Sequence, residues 1–264
     1  MKNLYRWIAS HPRASKILLI IPITVFCFFA LDPSVYSFGI RFLIIFSLLS
    51  SALMFVNTMP DKLMRRPLAQ LEQNCDPYPF LEELEIQIAT PQENFQGQMI
   101  LINYAMALVH TGQNEKALEI LEGIEIDRYP SASPFAKFIY YNNLCDVMTR
   151  LGRYPEANIW YERACQIYRN LPNNRFKQRL ERTVEMNEIE NLYRDEDYAY
   201  ALRRLAKIPC PTQRSLMDAA LLAAKCNLGL GETEKAREKL LYVIDNGNRL
   251  HCVTVARELL ATLS

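Results

Sequence analysis

The side chains that most often bind metals or act as nucleophiles are sparse in this sequence and widely separated. The three histidines are His11, His110 and His251, and no two of them have the spacing of metal ligands. The seven cysteines are scattered, without the C-x-x-C pair of zinc ribbons and thioredoxin-type motifs. The sequence also lacks a glycine-rich phosphate loop, a nucleophile elbow and a paired-carboxylate motif. We therefore expect no metal, no cofactor and no enzymatic activity, with thiols that act as small buried hydrophobes in a reducing compartment.

Composition and charge narrow the class of protein further. Of the 264 residues, 50% are hydrophobic and 22% are charged, which excludes a disordered polyelectrolyte and supports a packed core. Residues 1–66 contain eight Lys or Arg and two Asp or Glu, a net charge of +6, whereas residues 67–264 contain 22 and 27, a net charge of −5. Because phosphate binding needs clustered basic side chains, the acidic body predicts no nucleic-acid partner.

The basic N-terminal part is also the most apolar part, and it predicts a membrane-anchoring helical hairpin. Two apolar runs, Ile17–Leu31 and Phe42–Val56, can be lengthened by their flanks to spans of about 15–31 and 40–59, joined by a turn at Asp32-Pro33. The alternatives are a cleaved signal peptide, one span with an interfacial helix, and a buried hairpin in a soluble fold.

The distribution of basic residues predicts the orientation of this hairpin. Seven basic residues flank the two runs, and Arg41 alone lies between them. Because positively charged flanks remain on the cytoplasmic side, we expect a two-span membrane protein with both termini and the C-terminal body in the cytoplasm. The flanking residues are Lys2, Arg6, Arg13, Lys16, Lys62, Arg65 and Arg66.

From about Pro67 onward, apolar residues recur every three or four positions, which predicts a string of helices and no sheet. Three segments align on a turn glycine, with a small residue before it and an alanine after it, so that two antiparallel helices can approach closely. A fourth, degenerate copy has Glu196 in place of the glycine. The segments are Leu101–Ile126 with Gly112, Tyr141–Tyr168 with Gly152, Ala219–Ile244 with Gly231, and the degenerate Ile189–Ile208.

This pattern resembles the tetratricopeptide repeat, whose unit is a 34-residue helix–turn–helix. The second segment matches it best, with Tyr141, Leu144, Gly152, Tyr154, Ala157, Tyr161 and Ala164 at family positions. The aligned alanines Ala117, Ala157, Ala201 and Ala236 are 40, 44 and 35 residues apart, so two connections are longer than the family norm and regular stacking between the second and third copies is in question.

The resemblance implies an all-α fold in which two transmembrane helices precede an α-solenoid. Residues 1–66 form the hairpin, residues 67–97 a helical connector or worn repeat, and residues 98–264 four repeats with a terminal capping helix. The alternative is a helical bundle without repeats.

The resemblance also implies a binding groove. In this family the sixth position of each first helix faces the concave side, and the alignment places Asn103, Asn143 and Asn187 there, whereas Leu222 interrupts the row. An Asn amide donates and accepts, so such a row can hold a peptide backbone, although Asn is common at this position whatever the repeat binds. Neighbouring groove positions are Met106, His110, Asn142, Asp146, Arg150, Glu190, Arg194 and Lys225.

These observations predict a membrane-anchored cytoplasmic scaffold that binds a peptide segment of a protein partner in the groove. Trp160 has no packing role in the family pattern and is a candidate interface anchor, with inter-helix packing as the alternative. A second hypothesis is an accessory or assembly subunit of a membrane complex, in which the hairpin packs on partner helices. A small-residue face suited to such packing consists of Ser47, Ser50, Ser51 and Ala52.

Overall fold

The computed structural model describes residues 4, 6–8, 11–31, 34–89 and 94–263, and these residues form helices and turns without a strand. The all-α fold predicted from the apolar spacing is thereby confirmed. The chain divides into two compact units, Met1–Pro67 and Leu68–Ser264.

The first unit contains helix α1, Pro12–Ala30, and most of helix α2, Phe38–Asn74, whose last turns belong to the second unit. Ile8, Val56 and Leu63 are buried together, and Leu19 packs against them. The predicted turn at Asp32-Pro33 lies outside the described residues.

One of the two predicted membrane spans reaches the necessary length among the described residues. Phe38–Val56 has 19 residues and is apolar enough to cross a bilayer, and large side chains such as Phe46 are exposed along it. The other apolar helix, Ala14–Ala30, is shorter, because polar residues precede Ala14 and the helix ends at Ala30. The prediction of two spans is therefore reduced to one candidate span.

The second unit is built from helices joined mostly by short turns. From Phe95 to Asn246 the α-helices follow one another in four pairs, and the members of each pair are joined by three residues and pack on each other. The helices are α3 Tyr78–Ile88, α4 Phe95–His110, α5 Asn114–Glu122, α6 Pro134–Arg150, α7 Tyr154–Asn170, α8 Arg175–Arg194, α9 Tyr198–Leu205, α10 Gln213–Gly229, α11 Thr233–Asn246 and α12 His251–Ala261.

The first helix of every pair begins at a side-chain cap. Asn94, Ser133, Asn174 and Thr212 each accept a hydrogen bond from a backbone N–H two or three residues later. Such caps satisfy donors that the helix itself cannot pair, which fixes where each first helix starts.

The four turns inside the pairs share one backbone geometry. Gly112, Gly152 and Gly231 have φ of 84°, 73° and 73°, and Glu196 in the degenerate copy has φ of 62°. In each turn the next residue donates its N–H to the carbonyl five residues earlier at 2.9 Å, which is the hydrogen bond of a helix C-terminal Schellman turn. Glu196 therefore adopts the conformation that glycine adopts in the other three copies.

The two ends of the second unit contact each other. The Arg249 guanidinium pairs with the Asp76 carboxylate at 3.3 Å and lies 3.8 Å from the centroid of the Tyr78 ring. The Arg249 backbone N–H also donates to the Cys75 carbonyl at 3.2 Å. The His251 ring, at the start of the last helix, packs directly against Gly112 in the first turn of the array. A Cβ atom on residue 112 would collide with this ring. The last helix is therefore fixed to the segment that follows α2 and to the first turn of the array.

Candidate functional site

The first helices of the last three pairs bring charged side chains to one inner cavity of about 220 Å³. Helix α12 completes its wall with Cys252, and Tyr154 at the start of α7 lies at its edge. The charged residues that line the cavity are Asp146 and Arg150 from α6, Glu190 and Arg194 from α8, and Asp218 and Lys225 from α10. The inner cavity therefore contains three acidic and three basic side chains.

Ion pairs hold part of this set in place. Arg150 Nε donates to Asp146 Oδ1 at 2.9 Å, one turn away on the same helix. Arg214 bridges Asp218 and Glu72 at 2.9 Å each, so it links α10 to the end of α2. Glu190 and Lys225 line the same cavity and form no ion pair within the described part of the chain.

The burial of these groups, partial for Glu190 and Lys225 and nearly complete for His110, shifts their pKa values. Burial, reinforced by the nearby Asp146, raises the pKa of Glu190 to about 7 against the opposing attraction of Arg150. Burial and the positive charge of Arg150 lower the pKa of Lys225. Burial, with Arg214 and Arg150 nearby, holds the pKa of His110 well below its ordinary value, so His110 is neutral at pH 7. Buried groups with shifted pKa values in a cavity are typical of binding sites as well as of structural networks.

The asparagines of the predicted row differ in environment. Asn103 is exposed, whereas Asn143 is 4% exposed and its Nδ2 finds no acceptor among the described residues. Asn187 Nδ2 instead donates to Asn142 Oδ1 at 2.7 Å, which links α8 to α6. Asn143 is therefore a core residue, although the alignment places it in the concave row.

The other predicted groove residues separate into two sets. Arg150, Arg194 and Lys225 meet at the inner cavity, together with Asp146 and Glu190. His110 is buried and Met106 is half-buried, and neither of them lines the inner cavity.

Trp160 is half-buried and stacks on Tyr141, with ring centroids 5.7 Å apart and an angle of 11° between the planes. The Arg163 guanidinium contacts both rings, at 4.9 Å from the Trp160 centroid and 5.8 Å from the Tyr141 centroid. This contact between α6 and α7 fits the alternative of inter-helix packing, and the role of Trp160 as an interface anchor stays a prediction.

Three residues at or next to the inner cavity were not predicted from the sequence: Asp218, Arg214 and Cys252. Asp218 lies four residues before Leu222 and seven before Lys225, which places all three on one face of α10. That spacing could have identified Asp218, whereas the contribution of Cys252 from α12 depends on the contact between the ends of the array.

Comparisons with protein-family models, with curated proteins and with solved structures found no match. The class of protein is therefore defined by the geometry. The described residues form an all-α fold with four similarly built helix pairs and a charged inner cavity. They also include one helix that is apolar enough to span a membrane.

Proposed function

We propose that this protein is a membrane-anchored scaffold with tetratricopeptide-like repeats that binds a polypeptide segment of a partner in its inner cavity. The observation that carries the proposal is the convergence of Arg150, Glu190, Arg194 and Lys225 from three first helices on one cavity. Charged donors and acceptors can pair with both the backbone and the side chains of a bound segment. The common caps and turns of the four pairs support the repeat architecture, and Phe38–Val56 supports the anchor.

Site-specific photo-cross-linking in native membranes tests the binding role. A photo-cross-linking amino acid replaces Lys225 in the inner cavity, and in the matched control it replaces the exposed Glu119 on α5. We expect a discrete polypeptide adduct from position 225 that position 119 does not form, and we expect Glu190→Lys to abolish it. The same adduct from both positions, or none from position 225 in a folded variant, contradicts the proposal.

The proposed orientation, with the second unit in the cytoplasm, can be tested by thiol labelling. Cys252 is only 8% exposed and is a poor reporter, so we choose Thr254→Cys at an exposed position, in a chain whose half-buried Cys165 and Cys210 are replaced by serine. An impermeant maleimide should label this cysteine only after the membrane is opened. Labelling of intact cells would reverse the orientation.

The second candidate function is an accessory subunit whose apolar helices pack on partner spans. It is favoured by the exposure of Ser47, Ser50 and Ser51 on the apolar part of α2, because small residues allow close helix packing in membranes. Exchanging residues 1–66 for an unrelated anchor distinguishes the two functions. A scaffold keeps its cross-link from position 225, whereas a subunit loses its association although the second unit remains folded.

A further inference from the structure

A second concavity, which we call the tyrosine cleft, opens between α7 and the end of α8. It has a volume of about 610 Å³ and is lined by four tyrosines from three elements. Tyr154 and Tyr161 come from α7, Tyr193 from α8 and Tyr198 from the start of α9. Aromatic rings carry negative charge on their faces, and these faces attract cations.

Two of the four rings are held in place by their neighbours. Tyr193 and Tyr198 pack against each other with centroids 5.6 Å apart. Tyr198 lies directly over Gly229, at a distance that a side chain on Gly229 would not permit. These contacts fix the Tyr193 and Tyr198 rings on one side of the cleft.

The charge of the cleft also favours a cation. Glu162, Asp195 and Glu196 line it and are exposed, and none of these carboxylates forms an ion pair with another described residue. Arg194 is the one basic residue in the lining, so the formal charge is −2. Asn158 and Asn191 add amides on the two facing helices, which can pair with a peptide backbone.

Arg194 shows that a tyrosine of this cleft accepts a guanidinium group. Its guanidinium carbon lies 5.5 Å from the centroid of the Tyr154 ring, and its Nε finds no acceptor among the described residues. Arg194 also lines the inner cavity, so it lies at the boundary between the two concavities. A ligand with a guanidinium group would compete with Arg194 for the same ring.

We propose that the tyrosine cleft binds an arginine or lysine side chain of an extended polypeptide segment, with the tyrosine rings and the three carboxylates around the cation. The cleft shares Tyr154, Tyr193 and Arg194 with the inner cavity, but the proposal does not depend on the function proposed for that cavity. The cation is recognised by the ring faces and the carboxylates, and the peptide on either side of it by the two amides.

Calorimetric titration of the full chain in detergent micelles tests the proposal. The probe is an N-acetylated, C-amidated peptide of three Gly-Arg repeats, and the matched probe has citrulline in place of arginine, which keeps the shape and removes the charge. We expect the arginine peptide to bind at least about tenfold more tightly than the citrulline peptide. Equal affinities for the two peptides would overturn the proposal.

Two triple variants with the same charge change separate a specific site from general attraction. The cleft variant combines Glu162→Gln, Asp195→Asn and Glu196→Gln, and the control combines Glu115→Gln, Glu119→Gln and Glu122→Gln on the exposed side of α5. We expect the cleft variant to bind the arginine peptide about tenfold more weakly than the wild type does. The affinity of the control variant should change by less than about twofold. Equal losses in the two variants would show that binding is non-specific and refute the cleft.

Arg194→Gln provides a test of opposite sign. Removal of the internal cation frees the Tyr154 ring and makes the cleft more negative, so the arginine peptide should bind about threefold to tenfold more tightly. Weaker binding in this variant, with an unchanged melting curve, would contradict the proposal. Spermidine is the final probe: if it binds as tightly as the peptide and depends on the same carboxylates, the cleft takes a free amine and the peptide assignment is wrong.

Discussion

Asn143 lies in the core and leaves part of its hydrogen-bonding capacity unused. A buried donor without a partner costs about 1–3 kcal/mol, and Asn143 Nδ2 has no acceptor among the described residues. Asn143→Leu keeps a similar volume and removes the amide, so it should raise the free energy of unfolding by about 1 kcal/mol. Asn103→Leu, at an exposed position, should change it by less than about 0.5 kcal/mol.

Urea denaturation of the full chain in detergent micelles measures both variants. If the Asn143 amide serves the partner, Asn143→Leu also loses the cross-link from position 225 while it gains stability. A less stable Asn143→Leu protein would show that the amide is satisfied in solution.

Glu190 makes the stability depend on pH in a direction unusual for a carboxylate. Its pKa rises from 4.5 to about 7 in the folded protein, so between these values the folded state binds more protons than the unfolded state. The stabilising proton is fully bound at about pH 4.5 and is lost as the pH rises through 7. We expect Glu190→Gln to be more stable than the wild type by about 1 kcal/mol at pH 8 and by less at pH 5.5.

Urea unfolding at both pH values checks this expectation, and the difference between variant and wild type isolates Glu190. His110 and His251 act in the opposite direction, because their lowered pKa values reduce stability as the pH falls below about 6.5. A difference between variant and wild type that does not change with pH would contradict the assigned pKa of Glu190.

At the scale of the helix pair, we expect replacement by alanine to lower the free energy of unfolding by different amounts at two of the turn glycines. Gly112 and Gly152 both have positive φ, where an L-residue pays about 1–2 kcal/mol. A Cβ at Gly152 meets no atom within 4 Å, whereas a Cβ at Gly112 collides with the His251 ring. We therefore expect Gly152→Ala to cost about 1–2 kcal/mol and Gly112→Ala roughly 2–5 kcal/mol in thermal unfolding.

His251→Ala provides the control for this pair. It should remove most of the additional cost of Gly112→Ala in a double-mutant cycle and leave the cost of Gly152→Ala unchanged. Equal costs of the two glycine substitutions would show that His251 moves away freely.

The helix pairs were predictable from the sequence because their signals are local. Within each pair, the turn glycine and the buried alanine lie in one segment of about 26 residues, in which apolar residues recur every three or four positions. Even Glu196, which replaces the glycine, was placed at a turn from the pattern that follows it. The contact of Arg249 with Asp76 and Tyr78 joins residues more than 170 positions apart and leaves no periodic signal.

The candidate site was predictable only in part, for a reason of helix geometry. Successive residues on a helix point about 100° apart, so an alignment that is correct at the turn does not show which of Asn142 and Asn143 meets Asn187. The structure pairs Asn187 with Asn142 and buries Asn143. The charged groove positions Arg150, Arg194 and Lys225 were placed together by the family pattern, whereas Asp218 required inspection of the whole face of α10.

At the scale of the whole second unit, Arg249 joins the end of the array to its beginning. Arg249→Ala removes the cation–π contact with Tyr78 and the ion pair with Asp76, and we expect it to cost about 1–2 kcal/mol. Because the lost contact lies between the ends, amide hydrogen exchange should accelerate in α3 and α12 more than in α6 and α7.

The matched control is Lys235→Ala, which removes an exposed ion pair with Glu232 three residues away and should cost less than about 0.5 kcal/mol. Uniform acceleration of exchange along the unit would show that the ends are not held by a separate contact.

The contact between the two ends of the second unit can form only late in the synthesis of the chain. A ribosome adds about 5–20 residues per second, so Arg249 is added about 10 to 35 s after Asp76. Throughout that interval Cys75, which is fully buried in the finished protein, lacks the segment whose backbone pairs with its carbonyl. We therefore expect Cys75 to react faster with an alkylating reagent in a nascent chain that stalls before Arg249 than in the finished protein, where it is fully buried.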